Sequence, residues 1–457
     1  MIPAQDVVDR ALREAAASGR CDETIVIVTD RSEAALRWAG NSMTTNGITT
    51  SRTTAVISIV RQGDGARVGV QRSSSVDAQA IADLVAAAEY AAHTAPEAGD
   101  SAALLTGTGE PADWGDPTPG TGAGAFAEIA RALSAGFGRP DRLYGFAHHV
   151  VETTFVGTST GLRRRYTQPT GSVEINAKRA GASAWAGVST PWFADVPVDG
   201  MLADLTARLD WAKRTVELPA GRYETLMPPS AVADMMIYLG WSMDGRGAQE
   251  GRTALSAAGG GTRVGERLTA LPLTLYSDPH APGLECAPFV HTASSSERLS
   301  VFDNGMDVGR VDWIHDGTIN ALVYPRAAAA EFGVSPTAPA DNLLMSGGQA
   351  AMTDMVAATE RGLLLTTLWY IRTVDPATLL LTGLTRDGVY LIEDGEITAA
   401  VNNFRFNESP LDLLRRATEA GRAEQTLPRE WADWATRAVM PTLRIPDFHM
   451  SSVSQAQ

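Results

Sequence analysis

Four groups of residues have types and spacings that could do chemistry. Gly157-Thr158-Ser159-Thr160-Gly161 matches the G-x-S-x-G pattern of hydrolase nucleophile elbows. Such an elbow exposes its serine only at a strand-to-helix turn. Here Leu162-Arg163-Arg164-Arg165-Tyr166 and the alternating Val173-Glu174-Ile175-Asn176 follow, so a polar hairpin tip is expected and no serine hydrolase is indicated. Asp278, His280, Glu285, Cys286 and His291 form the one cluster of metal-ligand residue types. Its His-x5-Cys-x4-His spacing matches no closed zinc pattern, and Pro279, Pro282 and Pro288 mark it as an irregular loop. A structural loop is expected there, with His280, Cys286 and His291 as an alternative metal set. His148-His149 sit in strand-like sequence, where adjacent side chains point to opposite faces and cannot share one ion. Arg163-Arg164-Arg165 alternates in the same way, which reads as a solvated hairpin in preference to a DNA contact. No P-loop, G-x-G-x-x-G or paired C-x-x-C occurs, so no nucleotide or redox cofactor is indicated.

These groups need elements to hold them. The chain has 457 residues, enough for two or three domains, and its 44% hydrophobic and 20% charged content is ordinary for a globular protein. A net charge of −15 argues against general nucleic-acid binding, which depends on neutralising phosphates. Almost all its positive charge is Arg, with Lys178 and Lys213 the two lysines. The distant pair Cys21 and Cys286 cannot make a secreted-type disulfide framework. The start, Met1-Ile-Pro-Ala-Gln-Asp6, lacks the basic and apolar regions of a signal peptide. The longest strongly apolar stretch, Gly362 to Ile371, is half a membrane span, and a cytoplasmic protein without membrane contact is expected.

Helical spacing covers residues 3–18, where Val7, Val8, Ala11, Leu12 and Ala15 recur. Strands are expected at Thr24–Thr29 and Thr53–Val60, the second turning through Gly63-Asp64-Gly65 into Arg67–Gln71. A helix at Asp77–His93 precedes a Pro-, Gly- and Asp-rich loop over residues 94–124. A helix near Phe126–Phe137, strand sequence from Leu143 to about Ala177, and a helix at Val198–Val216 follow. Glu217-Leu-Pro-Ala-Gly221 is the best boundary, giving domains 1–217 and 218–457. The second opens with a strand at Tyr223–Met227, Pro228-Pro229, and a helix with Ser230 as N-cap. On that helix Val232, Met235, Met236, Leu239 and Met243 form one stripe, with Ile237 and Trp241 opposite and Tyr238 on a flank. A helix apolar nearly all round must be buried on several sides, inside the domain or under a partner. Asp316-Gly317 and Asp394-Gly395 each separate two apolar runs, as type I′ hairpin turns do. They are also candidates to offer strand edges to a partner or an extended peptide. The expected class is α+β: a mixed N-terminal domain, then a mainly antiparallel β domain with a buried helix near its start.

In the C-terminal half, Gly362-Leu-Leu-Leu-Thr-Thr-Leu-Trp-Tyr-Ile-Arg372, Val374-Asp-Pro376, Leu381-Thr-Gly383, Thr385-Arg-Asp-Gly388 and Leu391-Ile-Glu-Asp-Gly395 closely resemble the TldD/PmbA (TldE) family. Val401-Asn-Asn-Phe-Arg-Phe-Asn-Glu-Ser409 and Leu218-Pro-Ala-Gly-Arg-Tyr223 continue the match, and the N-terminal half agrees in layout. The resemblance implies an intracellular metallopeptidase system acting on peptides, historically called modulator of DNA gyrase. In the TldD branch an HExxxH helix supplies two zinc-binding His, a later Cys supplies the third ligand, and the Glu is suited to activating water. The TldE or PmbA branch lacks the motif and pairs with TldD. Anchoring on Gly240 and Gly251 sets Met236 at the first His, Ile237 at the Glu and Trp241 at the second His. None of the three can hold zinc or move a proton, and no His occurs between His149 and His280.

The resemblance therefore implies a TldE/PmbA-like, complex-forming subunit of a peptidase system. No catalytic residue, metal or cofactor is expected in this chain, and zinc is expected in an HExxxH-bearing, TldD-like partner. The alternatives are a stand-alone, homodimeric binding or regulatory protein without a proteolytic role, and an independent metallopeptidase using His280, Cys286 and His291.

Overall fold

The computed structural model describes residues 2–74 and 77–455; Met1 and 456–457, the outer ends of the expected domain spans, lie outside the described residues. The first half builds a six-stranded antiparallel sheet from β1 (Glu23–Ala39), β2 (Met43–Gln62), β3 (Gly65–Ser73), β4 (Arg142–Thr158), β5 (Arg163–Arg179) and β6 (Ala182–Ser189). Their order is β3-β2-β1-β4-β5-β6. Side chains alternate across β1. Val26 and Val28 pack under α1 (Ala4–Ser18) and α2 (Ala78–Thr94). Ala34, Leu36 and Trp38, on the same face, pack under α3 (Ala127–Gly136) and α4 (Val198–Trp211). Ile25 and Ile27 point to the other face, where Ile57, Ile59, Phe289, Val301 and Phe302 join them. The sheet is thus helix-covered on one side and packed against the second half of the chain on the other.

The helices start and stop as their termini dictate. Asp77 accepts the Ala80 N–H (2.8 Å) at the start of α2. Gly19, at φ +60°, closes α1 with its N–H on the Ala15 carbonyl. The first two strands run far beyond their expected limits. Residues 44–51 are exposed throughout and carry no burial alternation, so only pairing with β1 (Thr29↔Thr53 through Trp38↔Met43) makes them strand. The helix expected to reach Val216 stops at Trp211, and Thr215–Val216 forms a short strand of the second sheet.

That second sheet has fourteen strands. They are β7 (Thr215–Val216), β8 (Gly221–Met227), β9 (Leu275–Ser277), β10 (Val311–His315), β11 (Thr318–Ile319), β12 (Leu343–Met345) and β13 (Arg361–Leu365), continuing with β14 (Leu368–Asp375), β15 (Leu380–Thr385), β16 (Val389–Glu393), β17 (Glu396–Val401), β18 (Phe404–Glu408), β19 (Glu419–Thr426) and β20 (Ala438–Val453). Pairing is antiparallel except at β8–β13, β12–β20 and β7–β17. β20 is the hub, bonded to β8, β12, β18 and β19. Across it lies α5 (Pro229–Trp241), the helix expected near the start of this half. Both Asp-Gly hairpins form: Asp316 and Gly317 take φ of +45° and +75°, Asp394 and Gly395 +50° and +80°. Neither offers a long open edge, because β16 is paired on both sides, β17 is partly covered by β7, and β11 is two residues long. No helix among the described residues is long and apolar enough to cross a membrane.

Candidate functional site

The C-terminal half of α5 forms the floor of a groove. Pro229 sits at the first helical position, where its missing N–H costs nothing. Ser230 is not the N-cap; Pro228 precedes the helix, and the Ser230 hydroxyl donates to the Leu427 carbonyl (2.8 Å). Val232, Met235, Met236, Leu239 and Met243 enter the core as one stripe. Met236 is only 1% exposed and lies wholly in that core. Ile237 (4%) and Trp241 (42%), one turn apart, line the groove instead. The structure therefore separates the three positions matched to HExxxH. The groove encloses about 100 Å³, with Trp313, Trp434 and Arg298 among its walls.

The girth of α5 is covered mainly by its own chain. Tyr238, Trp241 and Trp431 stack edge-to-face with centroids 4.7 to 5.6 Å apart. The Tyr238 hydroxyl donates to the Ile371 carbonyl (2.7 Å). Asp234 is fully buried among the apolar residues of α5, and its carboxyl accepts the Glu430 N–H (3.0 Å). Burial, its largest influence, holds that carboxyl well above the usual carboxylate range. The Glu430 carboxylate in turn accepts the N–H groups of Tyr370 (2.8 Å) and Ile371 (3.1 Å) and pairs with Arg372 (3.2 Å). This clasp was missed in the sequence; the signal was a lone acid inside an apolar helix.

The two arginines of the groove differ. Arg437 pairs with Asp341 and also donates to Thr170 Oγ1 (2.6 Å). Arg298 has no carboxylate within ion-pair distance among the described residues. Another ion pair, Arg429–Asp387, lies almost fully buried within the second half, where that half meets the first sheet. The Ser183 hydroxyl donates to Asp387 (2.5 Å), and the Arg429 guanidinium lies over the Trp185 and Trp369 rings (5.2 and 5.5 Å).

The other candidates are taken up by structure. Ser159 lies at the β4–β5 hairpin tip, its hydroxyl accepting the Thr24 N–H (3.0 Å), with no helix following. His148 and His149 do point apart: His148 Nε2 meets Glu33 (2.7 Å), and His149 Nδ1 meets Thr121 Oγ1 (2.6 Å). The Arg triplet is not a solvated hairpin. Arg163 pairs with Asp9 and Arg165 with Asp113 on the helix-covered face, while Arg164 pairs with Asp307 on the other. In the Pro-rich loop, Cys286 is buried with Val290, Val308 and Ala340, while His280 and His291 are exposed. Burial pushes the Cys286 thiol up to about 12, which opposes the thiolate that zinc requires. Asn342 ties the loop down through the Asp278 and Leu284 carbonyls (2.6 and 2.9 Å).

A family zinc does not fit the residues present on α5. A core methionine, an isoleucine and a stacked tryptophan offer neither the nitrogen, thiolate and oxygen donors of a catalytic site nor a base. Among the described residues no group of three or more His, Cys, Asp or Glu side chains is arranged to hold a metal ion.

Comparison with known proteins places this geometry. Residues 220–452 match the family model of the PmbA/TldA metallopeptidase C-terminal domain. No curated protein sequence matches the chain. TldE from Thermococcus kodakarensis superposes with a TM-score of 0.78 at 16% identity, over 97% of this chain and 99% of that one. A protein described as a modulator of a DNA gyrase from Thermotoga maritima gives 0.75 at 15% identity, over 97% and 99% of the chains. Its counterpart from Bacteroides thetaiotaomicron gives 0.78 at 15%, over 99% and 100%. At such identities the superpositions establish the fold.

Proposed function

This chain belongs to the PmbA/TldD metallopeptidase family, and we propose that it is the non-metal-binding subunit of a TldD/TldE-type complex in peptide proteolysis. The observation that carries the reading is the chemistry of α5, where Met236, Ile237 and Trp241 occupy the positions matched to HExxxH. In this reading an HExxxH-bearing paralogue supplies zinc and the general base, and this chain supplies one wall of the peptide chamber. Trp241, Tyr370, Val374 and Trp434 are exposed, and they suit a surface that a second chain covers. The division into domains 1–217 and 218–457 and a cytoplasmic setting belong to the same proposal.

Co-expression with an HExxxH paralogue, co-purification and a peptide-cleavage assay test it. A lasting complex burying at least about 1,200 Å² is expected, with cleavage that needs both chains. A monomeric chain that leaves the paralogue's activity unchanged overturns the reading. A homodimer detected by light scattering, with no effect on any paralogue, favours the stand-alone alternative. Metal analysis of untagged protein should find no stoichiometric zinc. One zinc per chain, lost on His280→Ala or His291→Ala, would restore the loop site as the metal centre.

A further inference from the structure

Among the described residues Arg298 has no ion-pair partner, although Asp341, itself held by Arg437, lines the same recess together with Asn342 and Ser277. Protein surrounds Arg298 on most sides, while part of its surface stays open through the groove. Burial, which disfavours its charge, pushes the guanidinium down to about 10, so it remains charged at neutral pH. Asp244, the one carboxylate whose charge it feels, stands beyond ion-pair distance and accepts the Gly247 N–H (3.0 Å) instead. The other cation of the groove, Arg437, already has Asp341. Ile237, Trp241, Trp313 and Trp434 supply apolar walls around the remaining space. An unpaired guanidinium presents a planar fork of donors that matches a carboxylate bidentately, and a low-dielectric setting strengthens the pairing.

We propose that the groove over α5 binds the C-terminal end of a peptide, with the free α-carboxylate on Arg298 and the last, apolar side chain against the tryptophan-lined wall. The proposal rests on the reading of this chain as a peptide-handling subunit and adds the class of peptide held and the residue that holds it. A space of about 100 Å³ suits one terminal side chain and its carboxylate better than a through-running peptide. Charge complementarity selects the occupant: a terminal carboxylate brings the missing negative charge, whereas a C-terminal amide would leave the guanidinium unpaired.

The test uses the isolated full chain and an N-terminally fluorescein-labelled five-residue peptide ending in leucine, prepared as free acid and as C-terminal amide. Fluorescence anisotropy should give at least about tenfold tighter binding for the acid, a preference of the size expected for a hydrogen-bonded charge pair. Arg298→Gln should abolish that preference, and Arg298→Lys should keep part of it. Circular dichroism should match wild type, because Arg298 makes no internal ion pair to lose. Equal binding of acid and amide, an acid preference that survives Arg298→Gln, or no binding of either peptide overturns the proposal. An amide with an internal glutamate that binds as well as the free acid does so too, since it assigns the groove to acidic side chains. No partner chain is present in this experiment, so its failure is distinguishable from failure to co-purify with an HExxxH paralogue.

Discussion

The β4–β5 ribbon and the groove over α5 both present arginines, and they differ in what those arginines touch. Arg163, Arg164 and Arg165 look like a binding motif in one dimension, yet each has a carboxylate: Asp9, Asp307 and Asp113. Arg298 has no neighbouring cation in sequence to draw attention, and among the described residues it is the arginine of the groove left without an ion pair, beside its tryptophan-lined wall. Clustering along the chain therefore says little about availability. What decides is whether folding brings a counter-charge, which depends on segments up to about 150 residues away, as with Arg163 and Asp9. The ribbon uses its charge to fasten layers together, and the groove keeps one charge free.

The contrast can be broken most severely at Arg429, which unites both behaviours: it is paired, yet it lies where the two sheets meet. Asp387 is buried with it, so Arg429→Met strands a carboxylate inside the protein. The expected loss is about 3–5 kcal/mol in chemical denaturation. The double variant Arg429→Met/Asp387→Asn should recover a large part of that loss, because no unpaired charge remains. A single variant as stable as wild type would mean that the ion pair fastens nothing.

Asp234 sharpens the comparison at α5 itself. Its folded carboxyl titrates above the unfolded value, so the native state holds a proton that the unfolded chain has released. Stability attributable to this group is therefore greatest at low pH. It falls as pH rises from near 4 toward the raised folded value, by at most about 1.4 kcal/mol per pH unit. Asp234→Asn keeps an acceptor for the Glu430 N–H and removes the titration. Urea midpoints between about pH 5 and pH 8 should decline less in the variant than in wild type. Identical slopes would show that Asp234 does not carry this proton.

Much of the first sheet was legible because its helices and inner strands obey clear periodicities: Val7, Val8, Ala11 and Leu12 on α1, and Ile25 and Ile27 on β1. Residues 44–51 were not, since a two-sided exposed strand is defined by its partner and carries no pattern of its own. The two Asp-Gly turns were legible because positive φ demands particular residues, as at Asp316 and Asp394. At α5 the apolar girth was readable but its cover was not: Trp431 and Glu430 arrive from almost 200 residues downstream, as the Glu430–Asp234 bond shows. Arg298 was unreadable for the same reason in reverse, because availability is the absence of a partner, and no local pattern records that.

The smallest expected effect lies in the ribbon, where neighbours on opposite faces of one strand should behave differently. Arg165 is 5% exposed, donates to Asp113 through two bonds (2.7 and 2.9 Å), and lies over the Phe155 ring (5.3 Å). Arg165→Ala removes charge-assisted bonds from a covered site and should cost about 1.5–3 kcal/mol. Arg164 reaches Asp307 at 3.1 Å, but that carboxylate is 85% exposed, so water and salt screen the pair. Arg164→Ala should therefore cost less than about 1 kcal/mol, and wild type should lose as little when salt is raised to about 0.5 M. Denaturation of the two single variants in parallel gives the check. Equal costs would mean that alternation of the triplet between a covered and an open face does not govern what each arginine contributes, and the distinction drawn between ribbon and groove would then fail at its simplest point.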